Sequence, residues 1–325
     1  MICPVWAISQ TELPETRSNM VVSVNKWIDK TFGTYDTAFV KKSSNRYVGI
    51  VRSSNWLDFY HFNFGNDAAI AFRSDLCYNL GFSVGYKSIL LGYSISLTDA
   101  FSNRSVGSRK LDFHVSTNRF SVDLYHVSNK GQTNLSSYKS SDGQQNLRQP
   151  FDGLSTKTLT LDVYYYFNKY RYSSSAAYSR GYTNQQVKSA GSFITGLSYS
   201  SQNIFFDFTE LSAENPSLQI PQLGVQRIRY DSYCVNVGYG YNWLFSKAWL
   251  ANVTVIPAVG VNVHHDKADE GNLSVNAKTK AALVYNAPRY FMGITCHYYS
   301  NWYFSDQYTL ENSIGSFDIL FGLRF

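Results

Sequence analysis

Apolar and polar residues alternate with a period of two through most of the chain from Arg46 onward. That period puts successive side chains on opposite faces of a strand. It is plainest at the C-terminus, where Phe317, Ile319, Phe321, Leu323 and Phe325 alternate with Asp318, Leu320, Gly322 and Arg324. One face of this strand is wholly apolar, although terminal residues usually fray into water. A strand whose apolar face meets lipid explains it. The pattern also fits the closing strand by which outer-membrane barrels address their assembly machinery.

The same alternation predicts strands at 46–63, 68–86, 89–97, 110–116, 119–127, 157–168, 171–183, 189–200, 203–211, 227–241, 247–263, 272–286, 288–302 and 311–325. Tight turns are expected at Lys87-Ser88, Thr117-Asn118, Asn168-Lys169-Tyr170 and Ser201-Gln202, and Ser128 to Thr156 is the longest loop. The expected fold is all-β: a transmembrane antiparallel up-and-down β-barrel of about 14 strands, with 12 as the alternative if the Ser-rich segment 171–183 is not a strand. An even count leaves both termini on the periplasmic side, with the longer loops outside. Residues 45–325 form the barrel in this reading, and 10–44 a periplasmic arm or small plug in which Val24 to Lys30 makes one or two helical turns. Residues 1–9 are either the tail of a signal peptide, given the small-x-small pattern Ala7-Ile8-Ser9, or an irregular start.

Composition sharpens the picture. The 325 residues include 26 Tyr and 22 Phe, aromatics make up 17% and charged residues 16%. Soluble domains carry about 25% charge, and Tyr and Trp concentrate where a protein passes from lipid to water. No apolar run is long enough for a transmembrane helix. The net charge of +6 is spread along the chain, without the basic cluster of a nucleic-acid binder. The four Cys (3, 77, 234 and 296) form no CxxC pair, so neither zinc nor thioredoxin-like chemistry is indicated and no cofactor is expected.

Charge on a lipid-facing position costs about 2–4 kcal/mol for Arg or Lys at the midplane, so alternation assigns the faces. Leu111, Phe113 and Val115 point out and place Asp112, His114 and Ser116 inside. Phe120, Val122 and Leu124 do the same for Asp123, and Leu159, Leu161 and Val163 for Asp162. Asp207 is assigned inward opposite Ile204, Phe206 and Phe208, as are Lys278, Lys280, Asp318 and Arg324 on their strands. An acidic wall (Asp112, Asp123, Asp162, Asp207) thus faces a basic patch (Lys278 and Lys280, joined by Arg227 and Arg229). Either these charges set a transverse field in a pore, or they pair off in a packed lumen. Asp112, His114 and Ser116 hold the parts of a nucleophilic triad, but parallel side chains about 7 Å apart do not assemble one. His264, His265 and Asp266 fall in an outer loop, read as a solvated turn before a metal site.

One further pattern is specific in combination. The run Tyr166-Phe167-Asn168-Lys169-Tyr170-Arg171-Tyr172-Ser173, then Ala176-Ala177-Tyr178 and Lys188-Ser189-Ala190-Gly191-Ser192, resembles an uncharacterised Bacteroidota family, a domain of unknown function (DUF4421-like). Asn79-Leu80-Gly81, Gly85-Tyr86-Lys87 and Leu91-Gly92-Tyr93-Ser94 extend the likeness, which covers about residue 34 to the end. Ser174-Ser175 stands where a nearby Pro is expected. The resemblance implies an outer-membrane barrel in a Gram-negative bacterium and carries no catalytic residues. The expected partners are outer-membrane lipid, lipopolysaccharide, the barrel-assembly machinery and an unidentified small solute. The leading expectation is a pore for small solutes. The alternatives are a closed envelope barrel whose loops, with the aromatics from Tyr298 to Tyr308, bind glycan or lipopolysaccharide, and a lipid hydrolase built on Ser116 and His114.

Overall fold

The computed structural model describes residues 35–42, 47–65, 68–86, 89–98, 109–130, 133–140, 143–178, 184–214, 224–265, 271–306 and 308–325. In chain order the strands are β1 (Val40–Lys42), β2 (Tyr47–Asn63), β3 (Ala69–Ser74), β4 (Cys77–Tyr86), β5 (Ile89–Ser96), β6 (Arg109–Ser116), β7 (Phe120–Lys130), β8 (Thr133–Ser140), β9 (Gly143–Phe151) and β10 (Leu154–Tyr166). A short helix α1 (Ser175–Tyr178), β11 (Asn184–Gln186), β12 (Ala190–Asp207) and α2 (Phe208–Glu214) follow. The chain ends with β13 (Val225–Leu244), β14 (Trp249–His264), β15 (Gly271–Asn286), β16 (Tyr290–Phe304) and β17 (Thr309–Arg324).

Antiparallel pairing runs in order from β4 through β5, β6, β7, β10, β12, β13, β14, β15 and β16 to β17. The last strand pairs along its length with β2, from Thr309 opposite Asn63 to Arg324 opposite Val48. β2 in turn pairs with β4. Among the described residues twelve strands therefore complete a ring, which leaves no long edge to satisfy. Beyond Cys77 the wall forks. β3 stays on the upper half of β2 and carries the β8–β9 hairpin on its other side.

Three sequence expectations change here. The segment 171–183 is no strand: its described residues are a turn and α1, all four of whose residues are buried. Ser201-Gln202 is no turn, because β12 continues through it, pairing Gln202 with Thr158 on one side and with Tyr230 on the other. Small polar residues there face the interior, so local turn propensity lost to ladder pairing. The long loop 128–156 contains the β8–β9 hairpin, anchored by Leu135, Tyr138 and Phe151, which are all buried. The expected helical turns at 24–30 and the suspected signal-peptide remnant lie outside the described residues. Of the expected arm, residues 35–42 are described, and β1 pairs with β11.

Alternation survives in burial. On β13 the outward row is Tyr233, Val235, Val237, Tyr239, Tyr241 and Trp243, each 43–61% exposed. Five two-residue steps of about 6.7 Å, tilted ~40°, give an apolar band ~25 Å tall, the height of a bilayer-facing girdle. Phe317, Ile319, Phe321, Leu323 and Phe325 lie on the outside at 39–67% exposure. The strand carrying them is β17, which closes the ring.

Candidate functional site

The interior is layered. At the end far from the termini, Phe62, Phe72, Phe151, Phe206, Phe208, Tyr230, Tyr303 and Tyr308 join aliphatic residues in one buried cluster. Phe206 and Phe208 lie 4.2 Å apart between centroids, and Phe62 touches Phe72, Phe206, Phe208 and Tyr308. The β8–β9 hairpin and α2 bring Leu135, Tyr138, Phe151 and Leu211 to this cap. At the terminus end, Ala176, Ala177 and Tyr178 of α1 pack against Val48, Ile50, Leu250, Val284, Phe291 and Leu320. Side-chain amides hold the rest of this plug. Gln186 receives hydrogen bonds from the Ser173 backbone amide and from Asn242, and Asn184 donates to Ser175. Tyr178 donates to Asn252 and to the Lys280 carbonyl.

Between cap and plug lies the charged layer. Asp123 and Asp162 are direct cross-strand neighbours on β7 and β10, a placement that repels unless cations intervene. They do. Lys278 donates to Asp162, and also to the Tyr164 hydroxyl and Ser198 Oγ at 3.2 Å each. Lys280 lies 3.8 Å from Asp123 and over the Tyr164 ring. Asn236 and Ser198 extend the network. Lower on the wall, Asp318 accepts from Thr295 at 3.3 Å and stands 3.8 Å from His297. The space left beside Trp56, Tyr125, Tyr299, Asp123 and Asp162 is about 40 Å³, room for a few waters.

The alternation thus places Asp123, Asp162, Lys278, Lys280 and Asp318 inside, and the fold joins the first four into one network. It corrects Asp207. That residue ends β12, and its Oδ1 caps α2 by accepting from the Thr209 and Glu210 amides at 2.9 and 3.1 Å. Ile204, Phe206 and Phe208, expected on the lipid face, are buried in the cap. The strand does not break at Gln202, so the parity set by outward Phe193 and Leu197 carries through, and above the apolar outer band the interior is apolar too. Arg324 is inside but lines no channel. It donates to Asn286 Oδ1 at 2.6 Å and to the Ala287 and Pro288 carbonyls, and stacks on Phe291, clamping the β15–β16 turn. Asp112 and His114 sit on β6 opposite Tyr125 and Asp123 in register; their side chains lie outside the described residues. Tyr303 and Tyr308, expected to face a glycan, are cap residues. At the outer rim His265 lies 3.4 Å from Asp231. Sequence reasoning missed Ser198 and Tyr178. Nothing along the chain marks them, because their roles come from partners at least 36 residues away.

A family model, that of a domain of unknown function (DUF4421), matches residues 34–325. No curated protein matches the chain. Among solved structures, the outer membrane protease OmpT from Escherichia coli aligns over 87% of this chain and 97% of its own, at 6% identity and a TM-score of 0.35. The translocator domain of the autotransporter NalP from Neisseria meningitidis aligns over 96% and 97%, at 10% identity and a TM-score of 0.38. The toluene transporter TodX of Pseudomonas putida aligns over 85% and 89%, at 8% and 0.24.

Proposed function

From the premise that the chain belongs to the family described as a domain of unknown function, DUF4421, we propose that it is an outer-membrane β-barrel with a closed interior. It serves as a structural envelope barrel that displays its rim, and does not conduct solutes. The apolar outer band with aromatic ends supports the membrane location. The far end, where the chain makes its hairpin and α2 excursions, is then the outside, and the termini lie in the periplasm.

The observation that carries the closed reading is the sequence of layers along the barrel axis: aromatic cap, matched charge layer, α1 plug. A field across a water-filled constriction needs opposed charges kept apart, whereas Asp162 and Lys278 are in contact at 4% and 7% side-chain exposure. Charge pairs of this kind fill and specify an interior. Planar-bilayer recording on the purified protein tests this. Closed bilayers at protein densities that give steady currents for a porin are expected. A reproducible unitary conductance from the unmodified chain would overturn the proposal and restore solute passage.

A further inference from the structure

The outer wall is not uniform around the ring. Strand register aligns Ser128 of β7, Lys157 of β10, Asn203 of β12 and Arg229 of β13 in one row across four neighbouring strands. The next row toward the rim holds Ser155, Phe205 and Arg227. All are on the outward parity, since Thr156, Thr158, Ile204, Phe206, Ile228 and Tyr230 between them are buried. Lys157 and Arg227 are exposed and Arg229 half-buried, and the Arg227 guanidinium lies 5.9 Å from the centre of the Phe205 ring.

Neither row carries a carboxylate. In the row just below, Asp231 of β13 lies 3.4 Å from His265, and beyond the upper row Asp207 caps the start of α2. On the opposite wall, the outward positions of β14, β15, β16 and β17 hold no Lys, Arg or Asp and only Glu311 among acids. The basic residues therefore form a patch on one sector.

Its height is informative. Two rows below Lys157 and Arg229, the outward residues are Leu161, Tyr199 and Tyr233, with the two tyrosine rings 5.3 Å apart. Below them Val163, Leu197 and Val235 begin the aliphatic band. Each row rises about 6.7 Å along the strand, or ~5 Å along the membrane normal at a ~40° tilt. The patch thus stands about 10 Å beyond the tyrosines that mark the interface, at the level of lipid headgroups. Two guanidinium groups, an ammonium and an amide share these two neighbouring rows beside apolar wall. That is the donor set of a phosphate attached to acyl chains.

We propose that Lys157, Asn203, Arg227 and Arg229 form a binding site for the phosphate of an outer-leaflet glycolipid, whose acyl chains lie along Leu161, Tyr199 and Tyr233. The inference rests on the outer-membrane reading and adds a named ligand site to it. The experiment uses the full chain reconstituted in bilayers containing phosphorylated lipid A, in bilayers containing the same lipid A dephosphorylated, and with inorganic phosphate as competitor. Barrel insertion is read separately, from heat-modifiable migration and protease resistance. Failure to insert sinks the membrane premise itself. With insertion intact, co-purification of phosphorylated lipid A is expected, falling about tenfold or more in a Lys157→Gln, Arg227→Gln, Arg229→Gln variant and unchanged in Arg73→Gln, an exposed cation elsewhere on the wall. Equal retention of dephosphorylated lipid, equal retention by the triple variant, or displacement by inorganic phosphate at headgroup concentrations each overturns the site.

Discussion

Replacing Asp162 by Asn removes the main counterion of Lys278 with little change of shape. The side chains are 4% and 7% exposed, so bulk water cannot take over. Lys278 would keep the Tyr164 hydroxyl and Ser198 as acceptors at 3.2 Å, both neutral. Breaking a buried ion pair from one side costs about 3–5 kcal/mol, because it strands the other charge. Relief of the Asp123–Asp162 repulsion offsets a small part, on the order of 0.5 kcal/mol. The net expectation is a loss of about 3–4 kcal/mol. Adding Lys278→Met should recover most of it, since a hydrophobic replacement of the whole pair is often near neutral. Urea unfolding of the protein in lipid vesicles, followed by tryptophan fluorescence, measures Asp162→Asn, Lys278→Met and the double variant against the parent. If Asp162→Asn falls within about 0.5 kcal/mol of the parent, or the double variant is as unstable as the sum of its parts, the charge layer is not a coupled packed element and the closed-interior argument loses its centre.

The outer cap makes a separate demand. Phe62→Ala should cost about 3–5 kcal/mol in the same assay, because the ring is fully buried among four other aromatics; a loss under about 1 kcal/mol would mean the cap is loosely packed. A chain with α1 and β11 deleted should still hold bilayers closed, since the aromatic cap remains, and conductance from that variant would show that the plug alone seals the barrel. Gly260→Ala should destabilise by about 1–3 kcal/mol, because a Cβ there would meet the Tyr233 carbonyl oxygen at 1.9 Å, a backbone atom that cannot swing aside; wild-type stability would disprove the close approach. Finally, burial lifts the Tyr35 phenol from 10.0 to about 12. A raised folded pKa means that its contribution is whole below pH 10 and is lost as the pH climbs toward 12. A near-ultraviolet titration of wild type minus Tyr35→Phe should show that late ionisation, and a midpoint near 10 would show the ring to be exposed.

What the chain determines alone is the wall. A period of two is a property of consecutive residues, so β13, β14, β16 and β17 and the side each residue faces can be read locally. The same rule brought Asp123, Asp162, Lys278 and Lys280 inside without any partner in view. It failed above the apolar outer band. At the rim, Ile204, Phe206 and Phe208 face inward because the cap supplies an apolar interior there. The described part of the Ser-rich segment, 171–178, is held by contacts with Asn242, Asn252 and Leu250 from distant strands. Only tertiary structure decided that opposed charges touch and that the barrel is filled. Contacts across the interior join non-adjacent strands more than a hundred residues apart in the chain, as for Asp162 and Lys278. The outer basic patch is of the same kind: Arg227 and Arg229, assigned inward from the sequence, share the outward parity of β13 because Ile228 and Tyr230 are the buried ones, and they join Lys157 and Asn203 as one surface only when three strands lie side by side.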